Sequence, residues 1–180
     1  SDVYLRTNRG EQAIAVLKES LTLDKDAERP EILEARNLLA NVHLKRNEID
    51  EAKGHVDEVI RVSPKNVEAR FLKGNIHLLR GEGFPAVSEF RTVVNEKPEF
   101  IMGHIHLAEA HTMIQEFPLA IDTLQKILKI NPRSPNVLRA LARVYLAQKD
   151  TRNAEATYRK ILQDNPGDIA VLADLGDTYL

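Results

Sequence analysis

The chain predicts an all-α fold, an α-solenoid of repeated helix pairs, on three observations. Five of its eight prolines, Pro30, Pro64, Pro98, Pro132 and Pro166, are spaced by 34 residues each time. The same step carries Ala52, Ala86, Ala120 and Ala154, and the small residues Ala40, Gly74, Ala108, Ala142 and Gly176. A large apolar residue follows each of those alanines by four places: Val56, Phe90, Leu124 and Tyr158. A period of roughly 20 to 50 residues marks an array in which each unit buries its apolar face by stacking on its neighbours.

The first element is EQAIAVLKESLTLD, a helical stripe through Ala13 and Leu17. It stands out of register with the rest, because extra residues in KDAERP precede the regular array and predict a longer first junction. Four whole units follow, at 33–66, 67–100, 101–134 and 135–168, and residues 169–180 open another. In the unit 135–168, Val137, Leu138, Leu141, Tyr145 and Leu146 fall at the three-and-four spacing of one helix face, and Ala154, Tyr158, Ile161 and Leu162 make a second stripe. The breaks KRNEID, RGEGF, IQEF and AQKDT separate first from second helices and predict antiparallel pairs. Pro85, Pro118 and Pro135 sit at predicted helix starts, where a missing N–H costs nothing. Ser134 is predicted to cap the helix that begins at Pro135.

Composition narrows the function. Lys plus Arg number 25 against 27 Asp plus Glu, a net charge of -2, which argues against nucleic acid as a partner. With no cysteine there is neither a thiolate nucleophile nor a cysteine-based zinc site. No apolar run is long enough to insert in a bilayer, and SDVYLRTNRG has no signal-peptide pattern. HExxH, GxSxG and phosphate-binding loop motifs are absent, so no catalytic residue and no cofactor is expected.

A 34-residue helix-turn-helix unit with Trp-x2-Leu-Gly-x2-Tyr, Ala-x3-Phe and Pro resembles the tetratricopeptide repeat family. The best unit is 135–168, with Leu138 in the Trp place, then Leu141, Ala142, Tyr145, Ala154, Tyr158 and Pro166. Residues 169–180 continue it with Leu172, Leu175, Gly176 and Tyr179, and Leu180 adds to an apolar face that a second helix would cover. Departures are Arg36, Arg70 and His104 in the Trp place and Lys73 in the Leu place. The resemblance implies a right-handed superhelix whose concave groove, lined by the first helices, holds a peptide or helix of a partner.

IMGHIHLAEAH, residues 101–111, raises a metal site from His104, His106, His111 and Glu109 as the competing reading. His43, His77 and His111 share the repeat's Tyr place with Tyr145 and Tyr179, where an aromatic that packs its ring and bonds its polar end is required. His104 and His111, seven residues apart, stand about 10 Å apart along a helix, and His106 turns about 200° from His104. Packing is therefore the expectation for His104 and His111, and no metal site is predicted.

The resemblance maps the groove onto Asn37, Asn41, Phe71, Asn75, Met102, Ile105, His106, Glu109, Arg139 and Arg143. Amides are expected toward the N-terminal end, an apolar middle at Phe71, Ile105 and Met102, and a cationic spot at Arg139 and Arg143. The bland alternative pairs either arginine with Glu109 or Asp177 of a neighbouring unit. The carboxylate clamp of some family members is not expected, since Asn37, Leu72, Met102 and His106 replace its residues. The resulting expectation is a non-catalytic scaffold for a protein or peptide partner. The alternatives are a targeting arm of a larger enzyme and an array that self-associates through its uncovered C-terminal helix.

Overall fold

Ten helices and no strand are found among the described residues, 2–23 and 28–179, of the computed structural model. They are α1 (Asp2–Leu23), α2 (Pro30–Lys45), α3 (Ile49–Val62), α4 (Val67–Leu79), α5 (Gly83–Glu96), α6 (Ile101–Met113), α7 (Phe117–Ile130), α8 (Pro135–Ala147), α9 (Thr151–Asp164) and α10 (Ile169–Asp177). Four prolines act as helix openers, and Pro64, Pro98, Pro132 and Pro166 lie in the turns between helices. Pro30 and Pro135 are the first residues of α2 and α8, Pro118 is the second of α7 and Pro85 the third of α5. In that first turn their missing N–H has no carbonyl to meet.

Ser134 corrects one expectation. It occupies the N-cap of α8 in extended backbone but makes no side-chain cap bond, and it is buried at 7% exposure. Side-chain caps instead come from Asn66 to the Ala69 N–H on α4, Asp150 to Asn153 on α9, and Asp168 to Val171 on α10.

The chain divides into two compact units, residues 1–80 and 81–180. Helices α4 and α5 of the repeat 67–100 fall in different units. In the first unit α2 and α3 pair through the three residues Arg46, Asn47 and Glu48. In the second, α6 pairs with α7 and α8 with α9 through turns of the same length. Each turn carries one left-handed residue, Asn47 at φ 60, Gln115 at φ 62 and Lys149 at φ 66. That conformation sends the N–H of Glu48 to the His43 carbonyl (2.9 Å), of Glu116 to His111 (2.8 Å) and of Asp150 to Tyr145 (2.8 Å). These bonds satisfy carbonyls that the helix ends leave free.

The rows of small residues sit where helices cross. Ala40, Ala52, Ala120, Ala142 and Ala154 are fully buried, and Ala108 is 1% exposed. Helices cross closely where side chains are small and interlock through the large residues beside them. Gly103 makes the point for α5 and α6: a Cβ there would lie 2.9 Å from Val93 Cγ1. In the first unit Val56, Val59, Leu72 and Ile76 form the core around Ala40 and Ala52. The second unit has one core on Leu124, Ile127, Val137 and Leu141, and another on Leu138, Tyr158, Ile161 and Val171. Each large apolar side chain buried this way contributes about 1.5–3 kcal/mol.

Helix α1 packs on α2 through the half-buried Ile14, Leu17 and Leu21, and it begins well before EQAIAVLK. Elongation of a formed helix adds a bond per residue, which carries it through Gly10 despite a cost of about 1 kcal/mol. The side chain of Ala13, part of the junction in KDAERP (residues 25–27) and Leu180 lie outside the described residues. Helix α10 buries Val171 and leaves Ile169 and Leu172 81% and 46% exposed, and Tyr179 just beyond it is 62% exposed.

Candidate functional site: a cleft between α6 and α8

Within the second unit, the first helices of two successive repeats, α6 and α8, bound a cleft of about 700 Å³. From α6 it is lined by Met102, Ile105, Ala108, Glu109, Thr112 and Met113, and from α8 by Asn136, Arg139, Ala140, Arg143 and Val144. The spacing of 102, 105, 109 and 113 is one helix stripe, so a single face of α6 supplies most of that wall. Its volume falls in the usual range for ligand sites, and its lining is largely apolar with a few polar groups. Five of the sequence-derived groove residues therefore meet here: Met102, Ile105, Glu109, Arg139 and Arg143.

His106 is placed differently. Its ring stacks on Phe90 with centroids 5.5 Å apart, and its Nδ1 lies 3.3 Å from Glu109 Oε2. His106 at this distance is the largest cause holding the Glu109 carboxyl below its ordinary value, and the Arg143 charge adds to it. Glu109 is thus ionised at neutral pH, with its side chain 57% exposed.

The two arginines also divide. Arg139 donates to Asp168 Oδ1 at 3.3 Å, and its Nε lies 3.4 Å from Asp174 Oδ2, so its charge is held by two carboxylates of the following segment. Its partners are neither Glu109 nor Asp177. Arg143 is 67% exposed and stands 3.9 Å from Asp174. Burial, and then the Asp174 charge, raise the Tyr158 pKa, so the hydroxyl stays neutral. The Arg143 charge lies close enough to Tyr158 to oppose in part the rise in its pKa. The predicted cationic spot is therefore one accessible guanidinium, Arg143.

The remaining four groove residues lie in the first unit. Asn37 is buried at 2% exposure and donates from Nδ2 to Asn66 Oδ1 at 3.2 Å. Because Asn66 Oδ1 also accepts from the Ala69 N–H, Asn37 locks the cap of α4 and offers little open surface. Arg139 reaches Asp168, the cap of α10, across the same 29-residue separation. The row that begins with Asn37 thus contacts the next first helix at two of its members. Asn41, Phe71 and Asn75 are half-buried, and Asn75 keeps a buried Oδ1 without a partner, as does Asn37.

The other histidines pack. His104 Nε2 donates to the Pro98 carbonyl at 2.8 Å, and His111 Nδ1 donates to Glu116 at 2.7 Å. His43 repeats the latter bond to Glu48 at 2.6 Å. Among the described residues, no three His, Asp or Glu side chains are placed to hold a metal ion. No described helix is long and apolar enough to cross a membrane. Sequence reasoning had not included Thr112, Met113, Asn136, Ala140 and Val144. Two signals pointed to them: Met113 continues the stripe of Glu109 by four, and Asn136 stands 34 residues after Met102.

Stacked helix pairs with a cleft between successive first helices define a helical-repeat protein of the interaction class. Models of the tetratricopeptide repeat match residues 135–178, and residues 1–52 and 37–83. The chain belongs to the tetratricopeptide repeat family. Among solved structures, a tetratricopeptide repeat protein from Parabacteroides merdae ATCC 43184 is similar at a TM-score of 0.84 and 16% identity, over 98% of this chain and 68% of that one. A thermophilic TPR protein of Thermus thermophilus is similar at 0.74 and 18%, over 98% and 93%. YrrB, a TPR protein with an unusual peptide-binding site, is similar at 0.73 and 14%, over 96% and 87%. At these identities the likeness concerns the fold alone. No curated protein matches the chain in sequence.

Proposed function

We propose that the chain is a protein-interaction scaffold that binds a peptide segment of a partner in the cleft between α6 and α8. The observation that carries this reading is the convergence of an apolar floor with two accessible side chains of opposite charge, Glu109 and Arg143, in one cleft. The family's fold is generally a non-catalytic interaction fold, and the peptide-binding site of YrrB, a protein of the same fold, supports a peptide as ligand. Selection of a displayed peptide library on the folded chain tests the reading. Selected peptides are expected to bind wild type and to lose at least about tenfold in affinity on Met102→Glu. Equal binding to that variant sinks the assignment.

A second reading, self-association, rests on α10 and the turn after it, where Ile169, Leu172 and Tyr179 present apolar surface. Light scattering that finds a concentration-independent monomer rejects it.

A further inference from the structure

The charges around the cleft say what kind of segment it takes, given that the cleft is the partner site. Arg139 lines the wall but is occupied by Asp168 and Asp174, so it adds no net attraction for an acid. Arg143 on α8 also stands 3.9 Å from Asp174 but keeps its side chain 67% exposed, and with Glu109 on α6, 57% exposed, it supplies the accessible charge of the cleft. The two are opposite in sign, and the Arg143 charge reaches Glu109 strongly enough to help hold it ionised. A cationic ligand gains from Glu109 what it loses to Arg143, and an anionic ligand the reverse. A peptide main chain loses to neither: its N–H groups donate to a carboxylate and its carbonyls accept from a guanidinium.

Each group has a polar neighbour before any ligand arrives. His106, which stacks on Phe90, stands 3.3 Å from Glu109, and Arg143 stands 3.9 Å from Asp174. Such neighbours restrict the two side chains and so reduce the ordering cost of binding. The chain has two methionines, and both line this cleft, Met102 at 40% and Met113 at 41% exposure. Flexible thioethers adapt to apolar side chains of differing shape.

We propose that the cleft binds an uncharged, apolar stretch of extended polypeptide, gripped by its main chain between Glu109 and Arg143, with its side chains against Met102 and Met113. The proposal rests on the reading of the cleft as the partner site, and the test separates the two. Three fluorescein-labelled peptides, capped at both ends and alternating Leu with Ser, Glu or Lys, are titrated against the whole chain by fluorescence anisotropy. The Leu/Ser peptide is expected to bind tightest, with affinity changing less than about threefold between low and physiological salt. Glu109→Ala with Arg143→Ala is expected to weaken it by about tenfold or more. Circular dichroism confirms that each variant is folded.

Met102→Ser with Met113→Ser is the control for the site. If that pair leaves Leu/Ser binding unchanged, the cleft is not the site and the functional reading falls with the proposal. If the methionine pair weakens binding but the Glu or Lys peptide is preferred by about tenfold, the site stands and the neutral-segment proposal is overturned. No saturable binding of the Leu/Ser peptide also overturns it.

Discussion

The two units use the same repeat places differently. In the first, the row that could face a partner is turned to internal use: Asn37 is buried and donates to Asn66, fixing the start of α4. In the second, the corresponding place on α6 is Ile105, which lines an open cleft with Glu109 and Arg143 beyond it. A second contrast lies at the repeat place of His55. There the first unit stacks His55 on His43 with centroids 5.6 Å apart, whereas the second has Thr123, whose hydroxyl donates to the Leu119 carbonyl. One family pattern therefore supports a buried polar interior in one region and an open cleft in another. The lesson is that a repeat place specifies position, while the residue in it decides whether that position is structural or free.

The largest effect is expected from the cores. Leu124→Ala removes a fully buried side chain of the second unit and should cost about 2–5 kcal/mol by chemical denaturation. Val56→Ala, the same repeat place in the first unit, removes less and should cost less, because the loss scales with the buried carbon removed. A larger loss at Val56 would mean that the first unit packs more tightly than the comparison allows.

Next come the histidine bonds at the helix ends. Glu116→Ala strips the partner from His111, which is buried at 3% exposure, and should cost about 1–3 kcal/mol. Glu116→Gln keeps an acceptor and should recover much of that loss. In the first unit Glu48 bonds both His43 and Arg46, and the bond from His43 is the largest cause of its lowered pKa. Glu48→Ala should act in the same direction. Full stability in either alanine variant, read from urea titrations, would reduce these pairs to ornament.

Acid should separate the units by a smaller amount. Burial, helped by the charges of His43, Arg36 and Lys18, lowers the His55 pKa to about 4 from 6.5. Between those values the unfolded chain binds a proton that the folded chain refuses, so stability falls as pH falls from 6.5 towards 4. Allowing for partial solvent screening, the loss is about 1–2 kcal/mol. Glu109, whose pKa lies below 4.5 in the fold, begins to lose its contribution only as pH drops below that value. His55→Gln should flatten the pH dependence above pH 4.5 and leave the more acidic limb; an unchanged slope removes His55 as its source.

Much of the fold was legible in the sequence, because periodic packing leaves periodic residues. Ala40, Ala108 and Ala142 of the small-residue row reappear at buried helix crossings, while Gly176 is exposed. Pro30, Pro85, Pro118 and Pro135 reappear in first turns, while Pro64, Pro98, Pro132 and Pro166 fall in the turns between helices. The site was legible only in part. The resemblance placed Met102, Ile105 and Glu109 on one wall of the cleft, but the fate of Arg139 depended on Asp168, which lies outside the helix that carries it. The cap of α8 misled for a related reason. Ser134 has the right residue type at the right place, yet its hydroxyl makes no cap bond there, a matter of rotamer and packing that residue type does not encode.

The smallest contrast concerns the left-handed turn residues. Asn47 and Lys149 occupy equivalent turns at φ 60 and φ 66. A non-glycine residue loses about 1–2 kcal/mol in that region, but asparagine tolerates it better than lysine through local hydrogen bonding of its short side chain. Lys149→Gly should therefore stabilise the second unit by up to about 1 kcal/mol, and Asn47→Gly should stabilise the first by less. Glycine also enlarges the entropy of the unfolded chain, which sets the ceiling on both gains. Thermal melts of the two variants read the difference directly. A larger gain at Asn47 would imply that its amide strains the turn, since the backbone bond from Glu48 to His43 has its counterpart from Asp150 to Tyr145 and cancels in the comparison.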